Sequence, residues 1–416
     1  MRRFELGEYE TSVFDRDAAA LGPALAATGL VEAALTLDGR LRLTARSVVG
    51  VLEVAADAER AELRVRPKLP IRRLLWLLGH ARDDRGWRDD PADLTAEDDF
   101  VPAIAVAFAA ATSRALAPGV LQGYRVADET LPLLRGRLRE ADQLRGRPGR
   151  ALPLEVRYDD YSIDIAENRI LRAAIERLLR TPGVPASARR GLHRLAQALA
   201  EVTRLPPGAP LPPTTSNRLT ARYGPALRLA RLVLSGHGLE HHGGGIRASG
   251  FAFDLNAAFQ DWLTAVLRQE ITTEHGGEVV AERPLHLDAG GRIDMYPDVS
   301  WWRGRACLAV ADAKYKKTAG SSPPNADVYQ MLAYCTALGL REGHLVYATD
   351  HEPRREYDIA GGVRVVAHGL NLGAPLDELR QRIRALAAEL STPATARASV
   401  VPWDSSVPWA LPLPGC

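Results

Sequence analysis

The segment PDVSWWRGRACLAVADAK, residues 297–314, decides the fold of the C-terminal part of this chain. The run Cys307–Ala311 is continuously apolar, which is typical of a central strand buried on both faces. A turn at 303–305 separates this run from a second extended stretch. The segment therefore predicts two adjacent strands, Arg292–Trp302 and Ala306–Tyr315.

Three charged side chains lie at the ends of these predicted strands. Asp312 and Lys314 are two residues apart and share a face, and Asp298 follows Pro297 at a distance compatible with a hairpin. Neighbouring carboxylates repel each other unless a cation lies between them, and Mg²⁺ or Mn²⁺ prefers such oxygen ligands. Lys314 would orient a metal-activated water or stabilise the transition state. An Asp-x-Lys triplet alone is common, but at the end of a buried strand it would be costly without a function.

The helix predicted over Ala326–Leu338 carries a second set of candidate site residues. Gln330 and Tyr334 are four residues apart and share one helix face. The pair resembles the helix motif of RecB-like nucleases, in which the glutamine contacts the site. We therefore predict a catalytic role for Gln330 and a contact with DNA or a partner for Tyr334, whose alternative is a plain core position.

The remaining pattern predicts an α+β multidomain chain. Leu35–Thr44 alternates on both sides of an Asp-Gly turn, which is a hairpin signal, whereas the C-terminal elements alternate as in an α/β domain with a mixed sheet. The predicted parts are a small N-terminal α+β domain, a central helical region rich in arginine, a C-terminal α/β domain and a Pro/Ser-rich tail, at 1–118, 119–250, 251–390 and 391–416.

Composition limits the classes of partner. The formal net charge is only +2 over 416 residues, so any contact with nucleic acid must come from a local patch. Three separated cysteines form no CxxC pair and fit a reducing cytoplasm. We expect no signal peptide and no membrane span, because no apolar run reaches the required length.

Two local clusters are open to more than one interpretation. Arg135, Arg137 and Arg139 belong to an arginine-rich stretch that is either a surface for phosphate or partner contact or a solvated face. Three histidines, His237, His241 and His242, lie within a predicted flexible loop at 236–250, where their loose spacing does not favour a zinc site.

Taken together, several segments resemble the McrC family, the nuclease partner of the McrB GTPase in methylcytosine-dependent restriction. The matching segments, in chain order, are GVLEV at 50–54, LRVRPK at 63–68, LRGRL at 134–138, DIAENR at 164–169, FAFDLNAAF at 251–259, and the Asp298 and Asp312–Lys316 motifs. Their order and spacing are more specific than any single segment.

This resemblance implies a restriction-endonuclease-like fold of the PD-(D/E)xK superfamily in the C-terminal domain, which would cut double-stranded DNA with Mg²⁺. It also implies that the N-terminal part docks on a hexameric AAA+ GTPase and stimulates it. The chain has no G-x-x-x-x-G-K-[ST] loop, so GTP would be hydrolysed by the partner.

The chain departs from its apparent relatives at one candidate metal position. Similar proteins carry Phe-Glu where this chain has Phe259-Gln260, followed by Asp261. One residue along a helix rotates the side chain by about 100°. Gln260 is therefore the expected, weaker metal contact, and Asp261 is the alternative.

Two other functions remain open at this stage. The chain could be a catalytically weakened nuclease fold that serves as an assembly or regulatory factor for the partner NTPase, as Gln260 suggests. It could also be a stand-alone RecB-like DNA nuclease, although such an enzyme would not need the N-terminal α+β domain.

Overall fold

A computed structural model describes residues 1–56, 59–71, 73–74, 77, 99–146, 148–206, 208–214, 217–235, 241–243, 246–315, 323–349, 354–359 and 361–392, with only the backbone described within 241–250. The chain forms two compact units, Met1–Ala258 and Phe259–Cys416. The four parts predicted from the sequence are a finer division and stay a prediction, because compactness alone does not test which parts fold independently.

The first unit begins with two small sheets around one core. Its N-terminal elements are β1 (Arg2–Gly7), β2 (Thr11–Phe14), a 3-10 helix (Arg16–Leu21), α1 (Gly22–Ala27), β3 (Val31–Leu35), β4 (Leu41–Ala45), β5 (Val48–Ala56) and β6 (Glu59–Arg66). Strands β3 and β4 pair across the Asp-Gly turn, which confirms the predicted hairpin. The sequence of this part also predicts two helices, at 71–81 and 102–117. The first lies mostly outside the described residues, and α2 (Phe100–Leu116) confirms the second.

The middle of the chain is less helical than its sequence indicated. Its described elements are β7 (Gly123–Leu131), β8 (Arg137–Leu138), α3 (Glu140–Gly146), β9 (Leu154–Ser162), α4 (Ala166–Arg180), α5 (Ala186–Ala198), a 3-10 helix (Ala221–Tyr223) and α6 (Gly224–Ser235). Strands β7, β9 and β8 form a three-stranded sheet, so the prediction of a mostly helical region is wrong for this part. The sheet buries few apolar residues, mainly Ala127, Val156 and Tyr158, which explains the weak strand signal.

A polar cluster ties this sheet to the helix that follows it. The Asp164 carboxylate accepts hydrogen bonds from Arg169, at 2.7 and 2.8 Å, and from the backbone N–H of Thr203. Asn168 is buried and donates to two backbone carbonyls, those of Leu121 and Ile163. The Arg169 guanidinium holds the pKa of Asp164 well below its usual value. The DIAENR motif therefore has a structural role, which needs no catalytic function.

The glycine-rich stretch before the second unit returns to the first sheet. Strands β10 (His241–Gly243) and β11 (Ile246–Asp254) complete the order β1-β6-β5-β11-β10. The predicted loop at 236–250 is wrong for these residues, and the next helix begins at Leu255. Gly50 lies opposite Ala252, and a Cβ at Gly50 would meet the Phe251 carbonyl oxygen at 2.1 Å. Only glycine permits this approach of the two strands.

The second unit contains a mixed six-stranded sheet. Its elements are α7 (Leu255–His275), β12 (Glu278–Val280), β13 (Leu285–His286), β14 (Asp294–Met295), β15 (Val299–Arg303), β16 (Ala306–Lys314), α8 (Asn325–Leu338), β17 (Glu342–Tyr347), β18 (Arg355–Ile359), β19 (Val363–Gly369) and α9 (Leu376–Ser391). The sheet order is β12-β15-β16-β17-β19-β18, with β16, β17 and β19 parallel. The mixed α/β character predicted from the sequence is confirmed. The single strand predicted at 292–302 is instead two strands, β14 and β15.

Helix α8 packs closely on one face of this sheet. Met331, Tyr334 and Cys335 form a core with Val310 and Leu345. A Cβ at Gly343 would lie 2.4 Å from the Met331 sulfur and 2.6 Å from the Cys335 sulfur, so only glycine leaves room for the helix. This close packing places the helix face that carries Gln330 beside the ends of β15 and β16.

Within the described residues, no helix is both long and apolar enough to span a membrane.

Candidate active site

The strand register places Asp298 beside Asp312. Strands β15 and β16 are antiparallel with Val299 opposite Ala311, so Asp298 lies opposite Asp312, one residue beyond the last pair. Residues directly opposite each other present their side chains on the same face. The backbone N–H of Ala313 also donates to Asp298 Oδ2 at 2.8 Å, which holds this carboxylate at the strand end.

Asp312 is a buried carboxylate with little hydrogen bonding. Its residue is 1% exposed, and neither of its oxygens accepts a hydrogen bond of ordinary geometry from the described residues. The Lys314 ammonium forms an ion pair with Oδ2. Two ionised carboxylates that share a buried site repel each other, so Asp298 and Asp312 fit the ligand set of a divalent cation.

Burial raises the pKa of both carboxyl groups. Burial and the charge of Asp312 raise the pKa of Asp298 to about 7. Burial also raises the pKa of Asp312, and Lys314 opposes that shift. Without a cation, the pair therefore holds a proton near neutral pH, as expected for two carboxylates that share a site.

A chain of hydrogen bonds connects Lys314 to the strand end that carries Asp298. Lys314 Nζ donates to Gln330 Oε1 at 2.9 Å, and Gln330 Nε2 donates to the Tyr334 hydroxyl at 2.8 Å. The Tyr334 hydroxyl donates in turn to the carbonyl of Tyr296 at 3.1 Å. The structure thus brings together Asp298, Asp312, Lys314 and Gln330.

Tyr334 does not fit the surface contact that was predicted for it. It is 3% exposed and packs in the core beneath α8, and its hydroxyl is occupied by Gln330 and Tyr296. Its burial corrects the expectation of a contact with DNA or a partner. The core alternative fits, and its hydroxyl fixes the orientation of Gln330.

Gln260 lies near the end of β15, and its side chain is hydrogen-bonded to Glu282. Its Nε2 donates to Glu282 Oε1 at 3.0 Å. The backbone carbonyl of Gln260 accepts a hydrogen bond from the Thr264 hydroxyl, which also lies 3.4 Å from the backbone carbonyl of Asp298. Asp261 is exposed on the adjacent helix position. This turn of α7 therefore borders the backbone of Asp298, with Gln260 directed to Glu282.

Two acidic residues near the site escaped the sequence analysis. Glu282 has a left-handed backbone with φ +48°, and its N–H donates to the carbonyl of Pro297 at 3.0 Å. Asp327 is buried, accepts a hydrogen bond from the Tyr347 hydroxyl at 2.8 Å, and its charge raises the pKa of Asp312. No local pattern marks either one, because their proximity to the site depends on long-range packing.

The predicted contact arginines lie in the first unit and are partly neutralised. Arg135 pairs with Asp160 at 3.4 Å and lies over the Tyr158 ring at 3.8 Å. Arg139 forms ion pairs with Asp142 and, at 3.6 Å, with Asp128. Arg137 is exposed on β8. Their role in contacting phosphate or a partner stays a prediction.

The histidine group at 237–242 is only partly within the described residues. His237 lies outside them, and the backbone of His241 and His242 forms β10.

A mixed α/β sheet thus carries two strand-end carboxylates and a lysine on one face. This geometry is that of a protein with a candidate metal-dependent hydrolytic site. The family model described as "McrBC 5-methylcytosine restriction system component" matches residues 43–348. Because this match covers more than half of the chain, the chain belongs to that family. The membership in a McrBC-type family that the sequence motifs predicted is thereby confirmed.

Solved structures support the same fold. One is described as a refined half-complex from a tetradecameric assembly of Thermococcus gammatolerans McrB AAA+ hexamers with bound McrC. It is similar at 17% identity over 93% of this chain and 100% of that chain, with a TM-score of 0.59. A cryo-EM structure of the Thermococcus gammatolerans McrBC complex matches at 19% identity over 64% of this chain and 88% of that chain. Its TM-score of 0.39 is too low to support an argument. No curated protein matches the chain.

Proposed function

We propose that this chain is the DNA-cutting subunit of a McrBC-type restriction system, with a metal-dependent PD-(D/E)xK site in its second unit. The observation that carries the proposal is the pair Asp298 and Asp312, which end adjacent strands beside Lys314. Family membership alone would not select the component that cuts DNA. The shared site of Asp298 and Asp312 supports the DNA-cutting component, because two buried carboxylates beside one lysine favour a further cation when both are ionised.

Asp298 and Asp312 would hold Mg²⁺ or Mn²⁺, for which carboxylate oxygens are the preferred ligands. The bound ion would lower the pKa of a water molecule and offset charge on the scissile phosphate. Lys314 would direct its ammonium towards that phosphate or the attacking water. Gln330 accepts a hydrogen bond from Lys314 and would keep it in position, with Tyr334 supporting Gln330.

Gln260 makes this candidate site less acidic than the sites of its apparent relatives. Its amide carries no charge and donates to Glu282, and the carbonyl oxygen remains for a metal or its water. Ligand charge contributes to the affinity for a divalent ion. We therefore expect weak metal binding rather than a loss of catalysis, and Asp261 stays the alternative ligand.

The partner would be a hexameric AAA+ GTPase, as in the assembly that the similar solved structure is named for. The described sheet β7-β9-β8 offers a surface for such a contact. Five large apolar side chains on or beside it are 58–77% exposed, namely Tyr124, Val126, Leu133, Leu134 and Tyr161. Exposed apolar groups of this kind mark protein interaction sites. GTP would act only through the partner, and the shared substrate would be double-stranded DNA.

A cleavage assay tests the proposal. The full chain is incubated with modified and unmodified duplex DNA, with Mg²⁺, and with or without the partner GTPase and GTP. We expect cutting only in the complete mixture, and its loss for Asp312→Asn, with Asp358→Asn on the exposed edge strand as the matched control. Lack of cutting in the complete mixture with partner binding intact would contradict the nuclease function.

A second candidate is an assembly or regulatory factor for the partner NTPase with a weakened nuclease site. The observation that favours it is Gln260, which stands where the family's acid is expected. In that case the chain stimulates GTP hydrolysis but does not cut DNA at any Mg²⁺ or Mn²⁺ concentration. A stand-alone nuclease would instead cut without partner or GTP, so the same assay distinguishes all three functions.

A further inference from the structure

A second group of metal-binding side chains lies on the other face of the same sheet. His344 on β17, His368 on β19 and Glu389 on α9 each offer a ligand atom, and these atoms lie within 4.8 Å of one another. Leu345 and Ala367 alternate with the histidines and pack in the core beneath α8. The histidines therefore face away from Asp312, which pairs with Leu345.

We propose that His344, His368 and Glu389 form a structural site for a transition-metal dication of the Zn²⁺ type. Two imidazoles and one carboxylate are a donor set that Zn²⁺ uses, whereas Mg²⁺ prefers oxygen alone. His344 Nδ1 and His368 Nε2 are 3.0 Å apart. This separation fits two nitrogens of one ion, since each Zn–N bond is about 2.0–2.1 Å long.

The ligand nitrogens are available in the chemical form that a metal requires. His344 is 3% exposed and His368 is 7% exposed. The contact between His344 Nδ1 and His368 Nε2 requires at least one of these nitrogens to be unprotonated, since a hydrogen bond needs an acceptor. A neutral imidazole binds metal through its unprotonated nitrogen.

The surrounding residues form the outer shell that such a site needs. Glu342 Oε1 lies 3.5 Å from His344 Nε2, so the imidazole proton can face Glu342 and leave Nδ1 for the ion. Arg354 Nε lies 2.8 Å from Glu389 Oε1 and 3.1 Å from Oε2, which orients this carboxylate. A carboxylate has about four lone-pair positions, so Glu389 can bind an ion and Arg354 together.

The charge around the site also favours a cation. Glu342 and Glu389 lie beside the histidine pair, and Glu356 is connected to Glu389 through Arg354. Arg354 and Arg364 are the arginines that pair with these acids. Three carboxylates against two guanidinium groups leave a net negative charge. An ion here would connect β17, β19 and α9 and would stabilise the second unit, apart from the proposed catalytic ion.

Zinc binding to the full-length chain tests the proposal directly. After treatment with a chelator, the chain is titrated with ZnCl₂ by calorimetry, and with CoCl₂ while its visible spectrum is recorded. With excess Mg²⁺ to fill the proposed catalytic site, we expect one zinc ion per chain, a cobalt spectrum typical of nitrogen ligands, and a higher Tm when zinc is added, because the ion binds the folded chain.

Matched variants locate the ion. Glu389→Gln should weaken zinc binding at least about tenfold, and His368→Gln should weaken it further. Asp312→Asn should leave it unchanged, which separates this site from the proposed catalytic one. Replacing His237, His241 and His242 with alanine should also leave it unchanged, which excludes binding by that histidine group.

Three results would overturn the proposal. The first is the absence of zinc binding to the wild-type chain. The second is a zinc affinity of the Glu389→Gln and His368→Gln variants that equals that of the wild type. The third is loss of zinc binding in the His237/His241/His242 variant. The histidine pair would then be a hydrogen bond within the core. DNA cleavage does not enter the measurement, so failure of the proposed nuclease function would leave this result unaffected.

Discussion

At the scale of single residues, the buried Asp312 has the largest consequence for function. Asp312 and Asp298 share one strand-end site, and the only cation of the described residues in ion-pair contact with Asp312 is Lys314. Ionising both acids without a further cation is unfavourable, because burial weakens the solvation of each charge. The affinity of this site for metal should therefore depend on pH.

We expect the affinity for Mn²⁺ to fall as pH decreases below about 7, the raised pKa of Asp298. A proton competes with the ion below that pH, so binding should release a proton and weaken up to about tenfold per pH unit. Calorimetry at pH 6, 7 and 8 in buffers of different ionisation enthalpy measures both effects. An affinity that is constant across this range would contradict the shared-proton arrangement, and Asp358→Asn is the control.

Gln260 provides the second test at this scale. Gln260→Glu would replace its hydrogen bond to Glu282 with two adjacent carboxylates and should destabilise the metal-free chain by about 1 kcal/mol. The additional Glu282→Gln change should restore stability. Urea unfolding of the wild type, the two single variants and the double variant would measure this effect. The Glu variant should also need less Mg²⁺ for half-maximal cutting. Equal metal dependence would mean that position 260 does not reach the ion.

At the scale of elements, the contact between α8 and β17 determines where Gln330 lies. The helix approaches β17 at Gly343, where its Met331 and Cys335 side chains contact the strand. Helix position and site geometry are therefore coupled through a packing contact. A change in that contact should affect the site without touching it.

Gly343→Ala should destabilise the chain by about 1–3 kcal/mol, as overpacking in a core does, and reduce DNA cutting. The added methyl group would displace α8 and separate Gln330 from Lys314. Gly146→Ala is the control, because no atom lies within 4 Å of a Cβ there. Thermal unfolding and the cleavage assay provide the measurements, and an unchanged Tm would show that the helix adapts freely.

The hydrogen bonds of Asp164 connect several elements and should make the free energy of unfolding depend on pH. Asp164→Asn should cost about 3 kcal/mol at pH 7, because hydrogen bonds to a charged carboxylate are lost. The pKa of Asp164 is lowered in the fold. Its contribution is therefore fully present above the unfolded pKa of about 3.9 and is lost as pH falls towards the folded pKa.

Urea unfolding of the wild type and Asp164→Asn between pH 3 and 7 would measure this effect. The exposed Asp159 lies on β9, the strand that precedes Asp164, and Asp159→Asn should show almost no change. A stability difference that persists unchanged at pH 3 would contradict the ionic origin of the cluster's contribution.

At the scale of the whole molecule, the chain divides its candidate functions between two compact units. The exposed apolar surface on β7 and β9 belongs to the first unit, and the acidic site belongs to the second. Cutting and partner stimulation should therefore be separable by mutation.

Asp312→Asn should abolish DNA cutting and leave stimulation of the partner's GTP hydrolysis intact. Tyr124→Ala combined with Tyr161→Ala, on paired strand positions, should weaken partner binding at least about tenfold. Leu37→Ala is the control, since Leu37 is equally apolar and fully exposed on a turn. Loss of both activities in a folded Asp312→Asn chain would instead connect the nuclease site to assembly.

The sequence by itself determined the strand pair, the shared face of Asp312 and Lys314, the helix with Gln330 and Tyr334, and the family. These features depend on short periodic patterns, which local side-chain alternation encodes. Only the tertiary structure decided the pairing of β11 with β5, the small sheet of the middle region, the burial of Tyr334 and the position of Glu282. It also decided that His344, His368 and Glu389 meet. Each depends on segments that are distant in sequence, and their contacts are set by packing and strand register, which no local window contains.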